Sequence, residues 1–263
     1  MINKILCVAA HPDDLDFGAA GTISLWTSLG IEVIYLIVTD GDAGGEDRSI
    51  TRRDMAKLRQ HEQREAAKTV GVSDVRFLGY KDGAVTATIE LRKDISRAIR
   101  EVQPDRMLIP SPERFWDRIY ASHPDHMAVG EAAIFAIYPD ARNPFAHETL
   151  LQEGLEPFSV KETWIMASPS SFEGPKDDFD PAKCSYDAIE PTKFRTSKST
   201  WVAAVDITDT FHKKCNALKQ HKSQTDQMDD LEGMLRLWTG FNSSLYKVGA
   251  DRLAEAFQVV DTN

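Results

Sequence analysis

Hydrophobic runs and amphipathic stretches alternate along the first part of the chain. Residues 2–9 and 31–38 are mostly apolar and contain several β-branched side chains, which is typical of strands buried on both faces of a sheet. Between them, residues 17–29 carry apolar side chains at helical spacing, and Gly30 suits the position that follows a helix. This order of strand, helix and strand predicts a parallel βαβ unit.

The same alternation continues further along the chain. Its predicted helices lie at 52–70, 89–102 and 124–138, and its predicted strands lie at 75–78, 106–110, 163–166 and 202–207. We expect the strand at 163–166 to lie at the edge of the sheet. A helix is expected to follow the last strand as far as about residue 221, and a final amphipathic helix is expected between 229 and 260, broken near Gly240 and Gly249.

These elements predict an α/β fold with a Rossmann-like, mostly parallel sheet flanked by helices. In such sheets ligands bind at the C-terminal ends of the strands, so we expect the functional site there. We expect a single domain over 1–263, with a Rossmann-like core at about 1–167 and a long loop and C-terminal helical extension at about 168–263. Residues 168–200 are rich in Pro, Gly, Asp, Lys and Ser, and long loops of this kind are often lids or binding loops.

Composition narrows the class of protein. Of the 263 residues, 42% are hydrophobic and 27% are charged, which permits a sizeable core. The formal net charge of −10 disfavours binding to nucleic acid or to an anionic membrane face. The three cysteines are widely spaced and indicate neither a disulfide framework nor a thiolate metal site. We see no secretory signal and no apolar run of about 18 residues, so we expect a cytoplasmic protein without a membrane span.

Two motifs carry the candidate chemistry. His-Pro-Asp-Asp at 11–14 follows the first predicted strand, and His-Pro-Asp-His at 123–126 opens the helix that begins near Pro124. A single surface His-Pro-Asp is typical of a simple turn, and it also marks a helical chaperone co-factor module. Two such motifs, at a strand end and at a helix start, predict instead that both patches meet and bind one divalent metal ion.

The spacing predicts which side chains bind the metal. His11, Asp14 and His126 can form a set of two imidazoles and one carboxylate, which leaves a coordination position open for water or substrate. These ligand types favour Zn²⁺, with Fe²⁺ as the second candidate.

The other residues of the two motifs have predicted roles around that metal. Asp13, next to a ligand, is the candidate general base. His123, one turn before a ligand, is placed to oppose negative charge that develops on a carbonyl oxygen. Asp125 is expected to orient an imidazole.

The two motifs, in this order, resemble those of the LmbE-like, or PIG-L-like, deacetylases. These metal-dependent enzymes remove the acetyl group from N-acetylglucosaminyl compounds and related amides. Shorter pieces are also similar, at 39–41, 59–62, 77–83 and 221–224. The resemblance implies the same zinc ligands and the same roles for Asp13 and His123, and it further implies that Arg59 and Asp82 contact the substrate.

Two departures from the family pattern limit what the resemblance implies. Leu15 stands where the family usually has Glu, with Asp16 one position later. Residues 19–22 read Ala-Ala-Gly-Thr instead of a small residue followed by Gly-Gly-Thr. Sugar specificity is therefore not transferred from the family.

The predicted function is a metal-dependent deacetylase that hydrolyses the N-acetyl amide of an N-acetylglucosamine-type sugar or sugar conjugate. One alternative is an amidase that acts on a thiol-conjugate or another N-acyl amide. A second alternative is a sugar-binding protein with an inert metal site. A dinucleotide-binding enzyme is disfavoured, because residues 18–21 are Gly-Ala-Ala-Gly and do not form the G-x-G-x-x-G pattern. The expected partner is a small N-acetylated sugar, and a homo-oligomer is compatible with the sequence.

Two further expectations concern residues outside the motifs. Phe115, Trp116 and Tyr120 are candidates for a wall that faces the sugar, with ordinary packing as the alternative. His221 is expected to stabilise the C-terminus of a helix rather than to touch substrate.

Overall fold

The sheet predicted from the sequence is present in the computed structural model, which describes residues 2–45, 47–198 and 200–263. The strands in these ranges are β1 (Lys4–Ala9), β2 (Glu32–Thr39), β3 (Asp74–Tyr80), β4 (Arg106–Pro110), β5 (Glu162–Met166), β6 (Lys193–Arg195), β7 (Trp201–Asp206) and β8 (Ala254–Asp261). The α-helices are α1 (Asp14–Ser28), α2 (Arg52–Thr69), α3 (Ile89–Val102), α4 (Pro124–Phe135), α5 (Glu148–Gln152), α6 (Phe211–Leu218), α7 (Lys222–Thr225) and α8 (Leu231–Leu245). The fold class is therefore α/β, as predicted.

The order of the strands creates a crevice at one edge of the sheet. The strands lie in the order β3-β2-β1-β4-β5-β8-β7-β6. The neighbours from β3 to β5 are parallel, whereas β8, β7 and β6 pair in antiparallel fashion. The chain builds outward from β1 to β2 and β3, and then returns to place β4 on the other side of β1. Such a reversal opens a ligand crevice outside the carboxyl ends of the two central strands.

Helices cover both faces of the sheet. Along β1, Ile5 and Cys7 pack in one apolar cluster with residues of α1, α2, α6 and α8. The alternate residues Leu6 and Val8 pack in a second cluster with residues of α3 and α4. Because both faces are covered, β1 is apolar along most of its length instead of alternating between apolar and polar side chains.

The C-terminal part of the chain differs from the prediction. The strand at 162–166 is not at the edge of the sheet, because β5 lies between β4 and β8. The final helix ends at Leu245, and 254–261 form strand β8 instead of continuing the helix. In this strand Phe257 and Val259 are buried while Gln258 between them is only partly buried, a two-residue period that identifies a strand rather than a helix.

The other predicted elements agree closely with the structure. The helix at 89–102 and the strand at 106–110 have the predicted bounds, whereas the helix expected to reach 221 ends at Leu218. The segment 168–263, for which we expected a long loop, a strand at 202–207 and helices, supplies that strand as β7 and two further strands, β6 and β8. Within the described parts of the chain, every helix is too short or too polar to cross a membrane.

Candidate active site

The two His-Pro-Asp motifs meet in the crevice at the carboxyl ends of β1 and β4. His11 lies two residues after the end of β1, and Pro124 is the first residue of α4, a position where its missing N–H is not needed. His123 caps this helix, and its Nδ1 accepts a hydrogen bond from the N–H of Asp125 at 3.3 Å. The cap holds the rings of His123 and His126 side by side, with centroids 5.2 Å apart.

The three predicted metal ligands have donor atoms that converge. His11 Nδ1 lies 3.2 Å from His126 Nε2, which lies 3.0 Å from Asp14 Oδ1. His11 Nδ1 is 3.7 Å from Asp14 Oδ2, and that oxygen also accepts hydrogen bonds from the main-chain N–H groups of Ala10 and His11. Nitrogen and oxygen donors that each lie roughly 2 Å from one zinc ion have mutual distances of this size. The donor set therefore fits a small divalent cation.

The electrostatics of the crevice also favour a cation. Carboxylates of Asp14, Asp82 and Asp125 lie 3.7, 3.2 and 3.2 Å from the ring nitrogens of His11. Burial lowers the pKa of His11, but hydrogen bonds and charges from Asp14 and Asp82 outweigh burial and raise it to about 11. Without metal the imidazole is thus held in its protonated form. A bound metal ion would replace these protons and satisfy the same negative charge.

Asp125 contacts His11 on the side opposite the converging donors. His11 Nε2 lies 3.2 Å from Asp125 Oδ2, whereas Nδ1 faces His126. The Asp125 carboxylate is buried, and it also accepts hydrogen bonds from the N–H groups of Gly83 at 2.7 Å and Val85 at 3.2 Å. A carboxylate that accepts the second imidazole proton fixes the tautomer and leaves the other nitrogen free for a metal. The orienting role expected for Asp125 is compatible with this contact and stays a prediction.

Asp13 lies at the start of α1 in an uncommon backbone conformation. Its φ angle is 92°, in the left-handed region that Asp adopts more readily than most residues. Its N–H donates to Gln63 Oε1 at 2.8 Å, and its Oδ2 accepts from Arg59 Nη2 at 3.0 Å. Burial raises the pKa of Asp13 to about 6, although Arg59 opposes the shift. A carboxylate with a pKa near neutrality is suited to accept a proton during catalysis.

Arg59 is buried behind Asp13 and holds the surrounding loops. In addition to Asp13, its guanidinium donates to the carbonyl oxygens of Pro12 at 2.7 Å and Gly41 at 3.0 Å. Gly41 has a φ of 65°, and a Cβ there would lie 2.5 Å from Arg59 Nη1, so only glycine allows this close approach. The arrangement ties the loops after β1 and β2 to one side chain.

The two residues predicted to bind substrate, Arg59 and Asp82, therefore border the site from within the protein. They are only 4% and 8% exposed. Asp82 accepts a hydrogen bond from the N–H of Ala43 at 3.1 Å in addition to its contact with His11. Contact of either side chain with a substrate stays a prediction.

His123 is exposed at the mouth of the site, with its ring centroid 4.9 Å from that of His11. Because Nδ1 accepts a main-chain hydrogen bond, the proton of the neutral ring lies on Nε2. Partial removal of the ring from water and the positive charges of His11 and His126 lower the pKa of His123, which favours this neutral form. A neutral imidazole at a helix N-terminus can donate a hydrogen bond to an oxygen that becomes negatively charged.

The aromatic residues expected to face the sugar differ in environment. Phe115 packs against Phe172 with ring centroids 5.4 Å apart, so it supports the loop. Trp116 and Tyr120 are 78% and 80% exposed on the same loop, which leads directly to His123. Trp116 and Tyr120 are therefore more available to an incoming ligand than the partly buried Phe115.

Sequence reasoning missed a group of buried polar residues behind Asp13. The prediction that His221 stabilises a helix C-terminus is wrong, because this residue is fully buried and its Nε2 lies 2.8 Å from Asp16 Oδ2. The signal in the sequence was Asp16 itself, a charged residue next to Leu15 and Phe17 at the start of an otherwise apolar helix. A charge in that position needs a partner from elsewhere in the chain.

Comparison with known proteins adds independent findings. The family model described as "PIG-L: GlcNAc-PI de-N-acetylase" matches residues 6–137. Diacetylchitobiose deacetylase of Thermococcus kodakarensis is 30% identical, over 98% of this chain and 84% of its own length. The solved structure of N,N'-diacetylchitobiose deacetylase from Pyrococcus horikoshii has a TM-score of 0.81 at 30% identity, over 99% of this chain and 85% of that one.

A further solved structure is similar in fold alone. The 4-carboxy-2-hydroxymuconate hydratase GalB from Pseudomonas putida KT2440 has a TM-score of 0.71 at 18% identity, over 100% of this chain and 98% of that one.

Proposed function

Because the chain belongs to the PIG-L family of GlcNAc-PI de-N-acetylases, we propose that it is a metal-dependent deacetylase that hydrolyses the N-acetyl amide of an N-acetylglucosamine-type sugar or sugar conjugate. The observation that carries the proposal is the convergence of His11, Asp14 and His126, with donor atoms 3.0 to 3.7 Å apart, beside the partly buried carboxylate of Asp13. Relatives named for diacetylchitobiose favour a sugar amide over a thiol-conjugate amide.

The ligand set proposed for the metal is His11 Nδ1, the Asp14 carboxylate and His126 Nε2. Two imidazoles and one carboxylate favour Zn²⁺, with Fe²⁺ as the second candidate. When bound, such an ion would lower the pKa of a water molecule and polarise the acetyl carbonyl group. Asp125 keeps His11 Nδ1 turned toward this position by accepting the proton on Nε2.

The residues around the ligands have complementary roles in amide hydrolysis. The Asp13 carboxylate accepts a proton from the water that attacks the acetyl carbon, while Arg59 keeps that carboxylate in place. His123 donates a hydrogen bond through Nε2 to the acetyl oxygen as negative charge develops on it. The C–N bond then breaks as Asp13 passes the proton it took from the water to the leaving amine, and acetate is released.

Four residues around the site are proposed to face the substrate. Arg59 and Asp82 are expected to approach the hydroxyl groups of the sugar, as the family resemblance implies. The exposed rings of Trp116 and Tyr120 are available to contact a second sugar unit or another substituent.

The test is acetate release by metal-free protein reconstituted separately with zinc and with iron. The substrates are N-acetylglucosamine, N,N'-diacetylchitobiose, an N-acetylglucosamine glycoside and an N-acetylated thiol conjugate. We expect metal-dependent acetate release from at least one sugar, and no release after addition of a chelator. Fully metallated protein that released acetate from none of the sugars, or only from the thiol conjugate, would overturn the proposal.

A further inference from the structure

A continuous chain of hydrogen bonds connects the C-terminal part of the protein to Asp13. His221 Nε2 lies 2.8 Å from Asp16 Oδ2, and Gln63 Nε2 donates to the same oxygen at 2.8 Å. Gln63 Oε1 in turn accepts the main-chain N–H of Asp13 at 2.8 Å. We infer that His221, Asp16 and Gln63 are positioning residues that hold the catalytic base Asp13 in its working conformation. This inference rests on the proposed function.

The Gln63 amide is held in one orientation by its two partners. The two ends of an amide differ in chemistry, since the oxygen accepts hydrogen bonds and the NH₂ group donates them. Asp16 is a carboxylate and binds only the NH₂ end of Gln63, so the oxygen must face the N–H of Asp13. If Asp16 were lost, the amide could turn over and bring its NH₂ group against that N–H, which would remove the hydrogen bond.

The backbone of Asp13 is held in place by neighbouring side chains. Its φ of 92° is uncommon for a residue other than glycine, so the conformation needs support from its surroundings. That support comes from two residues of α2, since Gln63 binds the main chain of Asp13 and Arg59 binds its side chain. The two are four residues apart and therefore lie on the same face of the helix. Asp13 is thus fixed in both position and orientation.

His221 connects this group of residues to the C-terminal part of the chain. It is fully buried, as are Asp16 and Gln63, and it immediately precedes α7. The Glu62 carboxylate joins α2 to α7 directly, by accepting from the N–H of Ser223 at 2.8 Å and its hydroxyl at 2.6 Å. The C-terminal segment, which lies outside the residues matched by the family model, therefore reaches the catalytic base through α2.

The burial of Asp16 and His221 favours a role for this pair beyond stability. Among the residues that the structure describes, neither Asp16 Oδ1 nor His221 Nδ1 has a hydrogen-bond partner. Burying an ion pair and two incompletely paired polar atoms costs free energy. Well-packed apolar residues of similar volume would avoid this cost. A pair of this kind is therefore poorly explained as a device for stability alone.

The test uses two substitutions of His221 that differ in one property. His221→Leu removes the donor to Asp16, whereas His221→Gln offers an amide NH₂ in its place. We expect His221→Leu to lower kcat for N,N'-diacetylchitobiose about 10- to 100-fold, with KM and bound zinc unchanged. His221→Gln should recover most of kcat. His212→Leu, which alters an exposed histidine on α6, is the matched control and should match the wild type.

A double variant separates positioning from folding. His221→Leu leaves Asp16 buried without a cation, which itself destabilises the protein, so Asp16→Leu with His221→Leu removes both charges. We expect the double variant to fold and bind zinc while kcat stays low. Wild-type kcat in either variant would overturn the inference.

A crystal structure of the double variant provides a measurement that does not depend on activity. We expect loss of the hydrogen bond between the N–H of Asp13 and Gln63, and a shift of the Asp13 carboxylate. An unchanged Asp13 would overturn the inference even if the wild type released no acetate. Failure of the wild type on every sugar would instead refute the proposed function, so the two failures are distinguishable.

Discussion

Replacing Asp13 with Asn removes one property of the side chain and keeps most of its contacts. Asn has the same shape, and its oxygen can still accept the hydrogen bond that Arg59 donates at 3.0 Å. The main-chain bond to Gln63 and the three proposed metal ligands are not altered. What the variant loses is the ability to accept a proton from water.

The expected loss follows from that single change. General base catalysis contributes about 10²- to 10⁴-fold to a rate, so kcat of Asp13→Asn should fall by this factor. The loss corresponds to about 3 to 5 kcal/mol of activation free energy. Arg59 is only 4% exposed and loses its charged partner, so the free energy of unfolding will also fall. Acetate release is therefore measured at a temperature where denaturation curves show both proteins folded, with zinc quantified in each sample.

The pH dependence gives a second readout with a defined sign. Burial raises the pKa of Asp13 to about 6, with Arg59 opposing the shift, and a nearby cation would lower it. Since the base acts in its ionised form, kcat/KM of the wild type should fall as the pH drops through about 6 or below, and the variant should lack this decrease. A fully zinc-loaded variant that kept more than about a tenth of kcat would refute the assignment.

Three further predictions test other parts of the site and the fold. Asp125→Asn should weaken zinc binding about 10- to 100-fold in competition with a chelator, because His11 loses its carboxylate acceptor; unchanged affinity would contradict the orienting role. Trp116→Ala should raise KM for N,N'-diacetylchitobiose more than for N-acetylglucosamine and leave kcat unchanged, and equal effects on both sugars would exclude a contact with the second unit. Lys214→Met leaves the buried Glu255 without its cation and should lower the free energy of unfolding in urea by about 3 to 5 kcal/mol, whereas exposed Lys219→Met should change it by less than about 0.5 kcal/mol.

The elements that depend on local sequence patterns were predictable from the sequence. Strand β1 is a short apolar run that ends at a polar motif, and Pro124 follows a histidine that can cap a helix. Each signal lies within a few residues, so it needs no knowledge of distant contacts. Parallel neighbouring strands then bring the ends of β1 and β4 together, which is why the meeting of His11 and His126 could be expected before their 3.2 Å separation was seen.

The remaining elements depend on partners far along the chain. Strand β8 contains Glu255, which reads as a surface residue until the fold places Lys214 and the N–H groups of Gly21 and Thr22 against it. The buried polar residues behind Asp13 could not be predicted for the same reason, because Asp16 and its partner His221 are 205 residues apart. A local pattern shows that a buried charge needs a partner, but it cannot say which residue supplies it.

The fold alone does not decide the reaction, because a hydratase shares it with a TM-score of 0.71 at 18% identity. Addition of water to a double bond and hydrolysis of an amide both need an activated water molecule, so a metal and a base would serve either. In amide hydrolysis water attacks the carbonyl carbon itself, so negative charge develops on the acetyl oxygen, and a departing nitrogen must be protonated. The neutral imidazole proposed for His123, at the mouth of the site, would donate a hydrogen bond from Nε2 to that oxygen. We therefore expect the choice of deacetylation over other chemistry on this fold to depend on His123 more than on Asp13 or the metal ligands.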